Sequence, residues 1–342
     1  MHDAMTACDA TLWLPRWAAL REQLTPSMAL HRLACRADRV AVEPGDAARL
    51  ARSFDILPRG LPIAALTRQL DAGDAMHFTW LRADPGHVRP DMATVRLMAC
   101  GNLGLSPDEC EALLKPLKPL FGDEGFPISA PVPQRWYLCL PPDVRLPGFA
   151  SPQDVLGDDL FAHLPDGDAG RRWRRLMNEA QVILHNHPVN GQRAREGKLP
   201  VNTVWFWGAG RLPDHVRSKH STIVTDDALI TALSREAGVD CETFENSHSQ
   251  VARLPTLNLA RMEQEWDDRF LRNIQLIGTP EGVLFDCRGL RNLELFDRWL
   301  VSLLGRMNGG KFDALMLDFG DGLTLRWRAA HRWRFWRRQL PA

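Results

Sequence analysis

An alternation of two hydrophobic periods in the second half of the chain limits the fold more than any other feature. From about residue 168, Trp173, Leu176, Met177, Ala180 and Leu184 recur at helical spacing, and the apolar run 201–207 follows as a strand closed by Gly208-Ala209-Gly210. Thr225-Asp226-Asp227 opens a second helix that closes near Gly238. Leu293, Phe296, Leu300 and Leu303 mark a third amphipathic helix over 290–304, and 312–318 and 323–327 read as strands. Helices that alternate with strands cover the faces of a sheet, so the predicted class is α/β. With 342 residues, 45% of them hydrophobic, there is material for a sizeable core.

The first 141 residues are organised differently. Residues 1–75 read as a helical and loop part of the core, with Leu20, Leu24, Met28 and Leu33 in amphipathic pieces and Pro58 and Pro62 as punctuation. Residues 76–81 and 93–98 read as strands. Ser106-Pro107-Asp108-Glu109 then carries three agreeing helix-start signals: a capping serine, a proline suited to the first turn, and a glutamate that completes a capping box. This helix is expected to run toward Leu117, where Pro116 and Pro119 disturb its end. Residues 135–140 form a further strand, which makes 76–141 a small α+β module. Residues 142–165, rich in Pro, Gly and Asp, read as a connection, and 166–342 as an α/β core half.

The charges balance, 42 basic against 42 acidic, so no global field draws the chain to nucleic acid or to an anionic membrane. Neither partner is expected. Seven cysteines occur without C-x-x-C spacing, which indicates neither a disulfide framework nor a structural zinc site. Reduced thiols suit a reducing compartment. The start shows no basic and apolar leader, and no stretch reaches the length of a membrane span, so a cytoplasmic protein is expected.

Polar chemistry concentrates in 184–213, which packs His185, His187, Asn190, Arg193, Arg195, Lys198 and Asn202 beside a glycine-bounded strand. Polar groups at a strand end are typical of ligand sites in α/β folds. Equally, the two histidines could cap a helix C-terminus. Upstream, Arg171, Arg172, Arg174 and Arg175 crowd a helix start, where the macrodipole disfavours cations. They call for acidic partners or a bound anion. Arg82, His87, Arg89 and Asp91 follow a strand and could line a cleft or form a paired loop network. The run 326–338 interleaves Arg with aromatics, which can stack on bases but more often packs on the body. Asp318 and Asp321 close a strand as a metal site would require, yet Gly320-Asp321-Gly322 before 323–327 reads as a hairpin turn.

The stretch built on His187, Pro188, Asn190, Arg193, Gly197, Lys198, Pro200, Asn202, Trp205, Trp207, Gly208 and Gly210 resembles a motif of the archaeal-type cofactor-independent phosphoglycerate mutases. The module 76–141, with Arg82 and Arg135 on its strands, is similar to the smaller inserted domain of that family. Phrases such as LFGDEGF, QRWYLCLP, HNHPVN and WFWGAG look like a bacterial side branch, the RpfE-type regulatory proteins.

The resemblance implies a degenerate alkaline-phosphatase-like core with a small α+β insert. In active mutases of this kind, Asp and His projecting from strand ends hold two divalent cations beside a Ser nucleophile. The Asp-Gly signature after the first strand is absent here, as is the later Asp-x-x-x-His followed by a further Asp and His in the half that holds His215, His220 and His248, whose spacing matches neither.

The expected function is therefore a noncatalytic regulatory protein without catalytic or metal residues and without a cofactor, with a possible protein partner. It would bind a small phosphorylated or carboxylated metabolite. Arg82, His87, Arg89 and Arg135 would form one wall of that site, and His185, His187, Asn190, Arg193, Lys198 and Asn202 the other. The alternatives are an active mutase or phosphohydrolase with two divalent cations such as manganese, and a nucleic-acid-binding regulator acting through the C-terminal tail.

Overall fold

A computed structural model describes residues 9–91, 94–243, 282–290, 292–308, 313–337 and 339–341. The chain forms two compact units, one made of residues 1–57 and 215–342 and the other of 58–214. The class is mixed α/β.

The first unit is built on a seven-stranded sheet. Its strands are β1 (Asp9–Trp13), β2 (Asp38–Ala41), β10 (Thr222–Val224), β11 (Asp240–Glu242), β12 (Val283–Asp286), β13 (Ala314–Asp318) and β14 (Leu323–Trp327), in the order β11-β10-β12-β1-β13-β14-β2. The five strands from β11 to β13 run parallel, and β14 and β2 add an antiparallel edge. Central parallel strands are covered on both faces, so β12 and β13 read as nearly unbroken apolar runs. Helix Leu293–Asn308 buries Phe296, Leu300 and Leu303 in the same core as Leu30 and Leu33 of helix Ala29–Arg36. Asp297 of the former accepts from the backbone N–H groups of Ala29 (2.9 Å) and Leu30 (2.8 Å), so one helix caps the start of the other. A separate two-stranded ribbon pairs β3 (Phe54–Leu57) with β9 (His215–Ser218).

In the second unit, β4 (Thr79–Asp91) is the spine. It pairs antiparallel with β5 (Thr94–Cys100), β7 (Arg135–Leu140) and β8 (Thr203–Gly210), and β6 (Ile128–Val132) pairs with β7. Alternation sends Trp136 and Leu138 to one face and Tyr137 and Cys139 to the other. Helices Pro107–Asp123 and Gly167–His185 cover the first face through Leu113, Leu117, Phe121, Trp173 and Leu176. Helix Ile63–Ala72 lies on the second, with Ala64 and Ala65 against Trp80 and Tyr137. The connection expected at 142–165 falls within this unit, because Val155, Leu160 and Phe149 pack into its apolar core.

Residues 1–75 contribute three strands beyond the helices and loops expected there, and one of them, β1, is central. The helix begun at Ser106 continues past Pro116 and Pro119 to Asp123. Its buried face outweighs the two missing N–H donors.

Candidate functional site

The carboxyl ends of parallel strands are where open α/β sheets collect ligands. In the first unit three residues stand there in a row. Trp13, the last residue of β1, is in register with Asp286 at the end of β12 and with Asp318 at the end of β13. Beside β12, Thr225 follows β10 and its hydroxyl donates to Asp286 Oδ2 at 2.9 Å. Asp227 caps helix Ala228–Glu236, accepting from Leu229 N and Ile230 N.

Guanidinium groups occupy this row. Arg288 grips Asp286 with two bonds, Nε to Oδ1 at 2.7 Å and Nη2 to Oδ2 at 2.8 Å, and reaches Asp227 Oδ2 at 3.1 Å. Burial opposes its charge, but the three carboxylates Asp286, Asp227 and Asp46 outweigh that and hold the guanidinium pKa above its ordinary value. Arg52 donates to Asp318 Oδ2 at 2.7 Å. Arg49 is almost fully buried. Its Nη2 donates to the carbonyls of Leu14 (3.1 Å) and Asp318 (2.9 Å), and its Nε lies 3.4 Å from Asp318 Oδ1. Desolvation pushes Arg49 below the ordinary arginine range, although Asp318 and Asp46 oppose the shift. The Arg49 and Arg288 guanidinium carbons lie 5.6 and 5.3 Å from the Trp13 ring centroid.

The turn after β13 is cut to fit this arrangement. Gly320 has φ +70°, and a Cβ there would stand 2.5 Å from Arg49 Nη2. Its N–H donates to Asp318 Oδ1 at 2.9 Å. β13 and β14 pair antiparallel across this turn, as the hairpin reading expects, and Asp321 accepts from Trp17 N at 2.7 Å at the start of helix Trp17–Arg21. Among the described residues no three of His, Cys, Asp or Glu come together as a metal-holding group. Two divalent cations at the strand ends would need Asp286 and Asp318 released from their guanidinium partners. As placed, the described donors do not fit them. His248 lies outside the described residues.

The second unit holds the ten side chains singled out from sequence, and most of them bond within the protein. Arg82 and Arg135 lie on the face beneath helix Ile63–Ala72. Arg82 forms a fully buried pair with Asp84 (Nε to Oδ1 2.8 Å, Nη2 to Oδ2 2.7 Å) and also meets Thr67. Asp84 further accepts from Trp207 Nε1 at 2.7 Å and from Trp136 N. Burial raises its pKa, against the pull of these donors. Arg135 pairs with Asp71 (2.7 and 2.6 Å), which also accepts from the Tyr137 hydroxyl.

Asn190 staples two segments, donating to Leu184 O and Val201 O and accepting from Val201 N. Asn202 does the same to β4, accepting from Val88 N and donating to Val88 O. Arg193 is fully buried, with bonds to Leu199 O, Leu103 O and Glu109. Partial desolvation raises the Glu109 carboxyl, yet the Ser106 N–H and Arg193 outweigh it and leave its pKa below the ordinary value.

His187 caps helix Pro188–Arg195, where its ring accepts from Val189 N, and His185 is exposed at the end of the preceding helix. His87 faces the Pro200 carbonyl at 3.0 Å, and desolvation lowers its pKa, with help from Arg89. Arg89 is exposed, and Lys198 pairs with Glu196 at 2.7 Å. The crowded arginines at the start of helix Gly167–His185 find protein partners. Arg172 and Arg175 meet Glu124, and Arg171 meets Asp168.

The sequence reading passed over Trp13, Arg49, Arg52, Asp286 and Arg288. The signal for Asp286 and Arg288 was present in Val283-Leu-Phe-Asp286-Cys-Arg288, a short apolar run with charge at its end. For Arg49 the local sequence offers only Asp46, and its partner at the strand end, Asp318, lies 269 residues away.

No family model matches the chain. Over about a quarter of its length it is homologous to 2,3-bisphosphoglycerate-independent phosphoglycerate mutases. It is 38% identical over 88 residues to a protein of Geobacter sulfurreducens described as a probable enzyme of this kind, covering 26% of this chain and 22% of the relative. It is 40% identical over 96 residues to one from Methanothermobacter thermautotrophicus (26% and 24% covered). A longer match to the Methanosarcina barkeri enzyme gives 26% identity over 142 residues, 40% of this chain and 36% of the relative. The matched part thus spans well under half of those relatives. Among solved structures, the cofactor-independent phosphoglycerate mutase of Thermoplasma acidophilum aligns over 94% of this chain and 90% of its own, at 16% identity and a TM-score of 0.43. A protein of Pyrococcus horikoshii aligns over 94% and 87%, at 16% identity and a TM-score of 0.44. The chain is phosphoglycerate-mutase-like in sequence over that shared segment.

Proposed function

We propose that this chain is a noncatalytic, regulatory relative of the phosphoglycerate mutases, with a degenerate alkaline-phosphatase-like core, that binds a small phosphorylated or carboxylated metabolite. The observation that supports the noncatalytic reading is the row Asp286-Trp13-Asp318. There an indole ends the central strand, and each flanking carboxylate is bonded to arginine. A carboxylate held by a fork of guanidinium donors has few lone pairs left for a cation.

Support for an anionic ligand comes from the second unit. His87 and Arg89 lie on the part of β4 stapled to Asn202, and His87 faces the carbonyl of Pro200, which follows Lys198 closely in the chain. There the charge of Arg89 faces solvent, unlike that of Arg82, Arg135 or Arg193. Arg89, Lys198 and His87 are therefore the assigned anion ligands, and His185 is a more distant candidate. Arg82, Arg135, His187, Asn190, Arg193 and Asn202 would shape the surface that presents them.

The test is a thermal-shift titration with 3-phosphoglycerate against a sulfate control, on the natural chain and on the Arg89→Gln/Lys198→Gln variant. A ligand at a hundredfold excess over Kd adds about 2.7 kcal/mol of stability. The natural chain should show a saturable rise in Tm that the variant loses. An equal response to sulfate, or none at saturating ligand, would remove the metabolite from this reading. A coupled phosphoglycerate mutase assay with added manganese decides the noncatalytic part separately.

A further inference from the structure

We propose that the C-terminal segment, seated on helix Ala29–Arg36 and β2, is a binding surface for single-stranded nucleic acid. The sequence pattern alone favoured burial of its aromatics. Two groups follow that pattern, since Trp327 and His331 are buried and anchor the segment. Three do not: Trp333, Phe335 and Trp336 are 63%, 65% and 65% exposed. Large aromatics left in water at neighbouring positions mark an interaction surface rather than a scatter of single apolar residues.

Charge stands between them. Residues 326–342 contain six arginines and no acidic residue, in a chain whose total charge is zero. Arg332 lies over the Trp333 ring at 5.0 Å, and Phe335 and Trp336 meet edge to face at 5.5 Å. The segment is held in place by its backbone. Arg36 donates to Arg332 O at 3.0 Å, Arg39 to Gln339 O at 3.3 Å, and Arg334 back to Arg36 O at 3.2 Å. Beside Trp336 these contacts leave a groove of about 630 Å³ lined by Cys35, Asp38, Arg39, Trp336, Arg337 and Gln339.

A surface that sets Arg39 and Arg337 beside the exposed Trp336 ring, with the exposed Trp333 and Phe335 close by in the chain, fits a strand whose phosphates are tracked by arginine and whose bases stack on the aromatics. Duplex bases are already stacked and cannot reach those rings. A bilayer fits less well, because arginine interrupts the aromatics and leaves no continuous apolar face to sink into it.

The experiment is fluorescence anisotropy of the full chain with a labelled oligothymidylate of about 20 nucleotides, enough to span an extended cationic groove. It is repeated across salt and beside a duplex of the same length and vesicles containing phosphatidylglycerol. About four phosphate contacts predict that affinity falls roughly 50-fold as salt rises from about 50 to about 200 mM. Trp333→Ala/Trp336→Ala should cost at least about tenfold without changing the salt slope, and Arg337→Gln should flatten that slope. Because these side chains are exposed, urea midpoints should match the natural chain and separate lost binding from lost folding. The proposal is overturned by absence of saturable binding at the lowest salt, by a double aromatic variant that binds as the natural chain does, or by preference for duplex or vesicles.

Discussion

At the scale of single residues, Arg193 shows how a side chain conspicuous for its charge can direct that charge inward. Its guanidinium is fully buried and joins the nearby Leu199 to Leu103 and Glu109, which lie 90 and 84 residues back in the chain. Arg193→Ala should therefore cost about 3–5 kcal/mol, because it strands two carbonyls and a carboxylate that the guanidinium satisfies. A urea melt reads this directly, and an unchanged midpoint would contradict the placement. His220 offers a pH test. Desolvation lowers its pKa to about 4 from 6.5, with a smaller push from Lys219. The unfolded chain then binds a proton near pH 6.5 that the folded chain accepts only near pH 4. Its contribution is complete above pH 6.5 and is lost as pH falls through that window, up to about 3 kcal/mol. Urea midpoints measured between pH 7 and pH 4 should fall less in His220→Gln than in the natural chain. Parallel curves would show that His220 is not the group responsible.

At the scale of elements, the most legible features were those written locally. Ser106, Pro107 and Glu109 announced a capped helix, and both bonds of the capping box are present (2.8 and 3.1 Å). Ser106→Ala should lower stability by about 1 kcal/mol in thermal or urea unfolding, and a neutral result would mean the helix start is held by Arg193 and Glu109 alone. The strand Arg135–Leu140 and the turn through Gly320-Asp321-Gly322 were equally legible. Gly320→Ala forces a side chain into positive φ against Arg49 and should cost about 1–3 kcal/mol on the same measurement. Elements set by distant partners were harder to see. β1 is five residues long and begins with Asp9, and what makes it a central strand is β12 and β13, some 270 residues or more away. Pro85 and Gly86 fall in a stretch that reads as a cleft edge or a loop network, yet both residues sit inside β4. The ladder to β8 surrounds them, and Gly86 brings its backbone close to Thr203, where a Cβ would stand 2.7 Å from Cγ2.

At the scale of the molecule, the stretch 184–213 turns much of its polar chemistry toward the protein. Its regular spacing of His, Asn, Arg, Lys and Trp records how a helix end, a short helix and β8 are stapled together through Asn190, Arg193 and Asn202. Such staples shape a surface without facing it. The strand ends of the other unit, by contrast, draw on residues scattered from Trp13 to Asp318, which no local pattern can assemble. The guanidinium-bonded carboxylates there are why we propose that the mutase-like segment belongs to a protein without mutase chemistry. The measurement that tests it most directly is a coupled phosphoglycerate mutase assay on chelator-washed full-length chain, with manganese and without bisphosphoglycerate. The rate should equal the protein-free blank, with or without the metal. Manganese-dependent turnover that disappears in Asp318→Asn would contradict it, and would mean that Asp318 leaves its arginines to hold a cation.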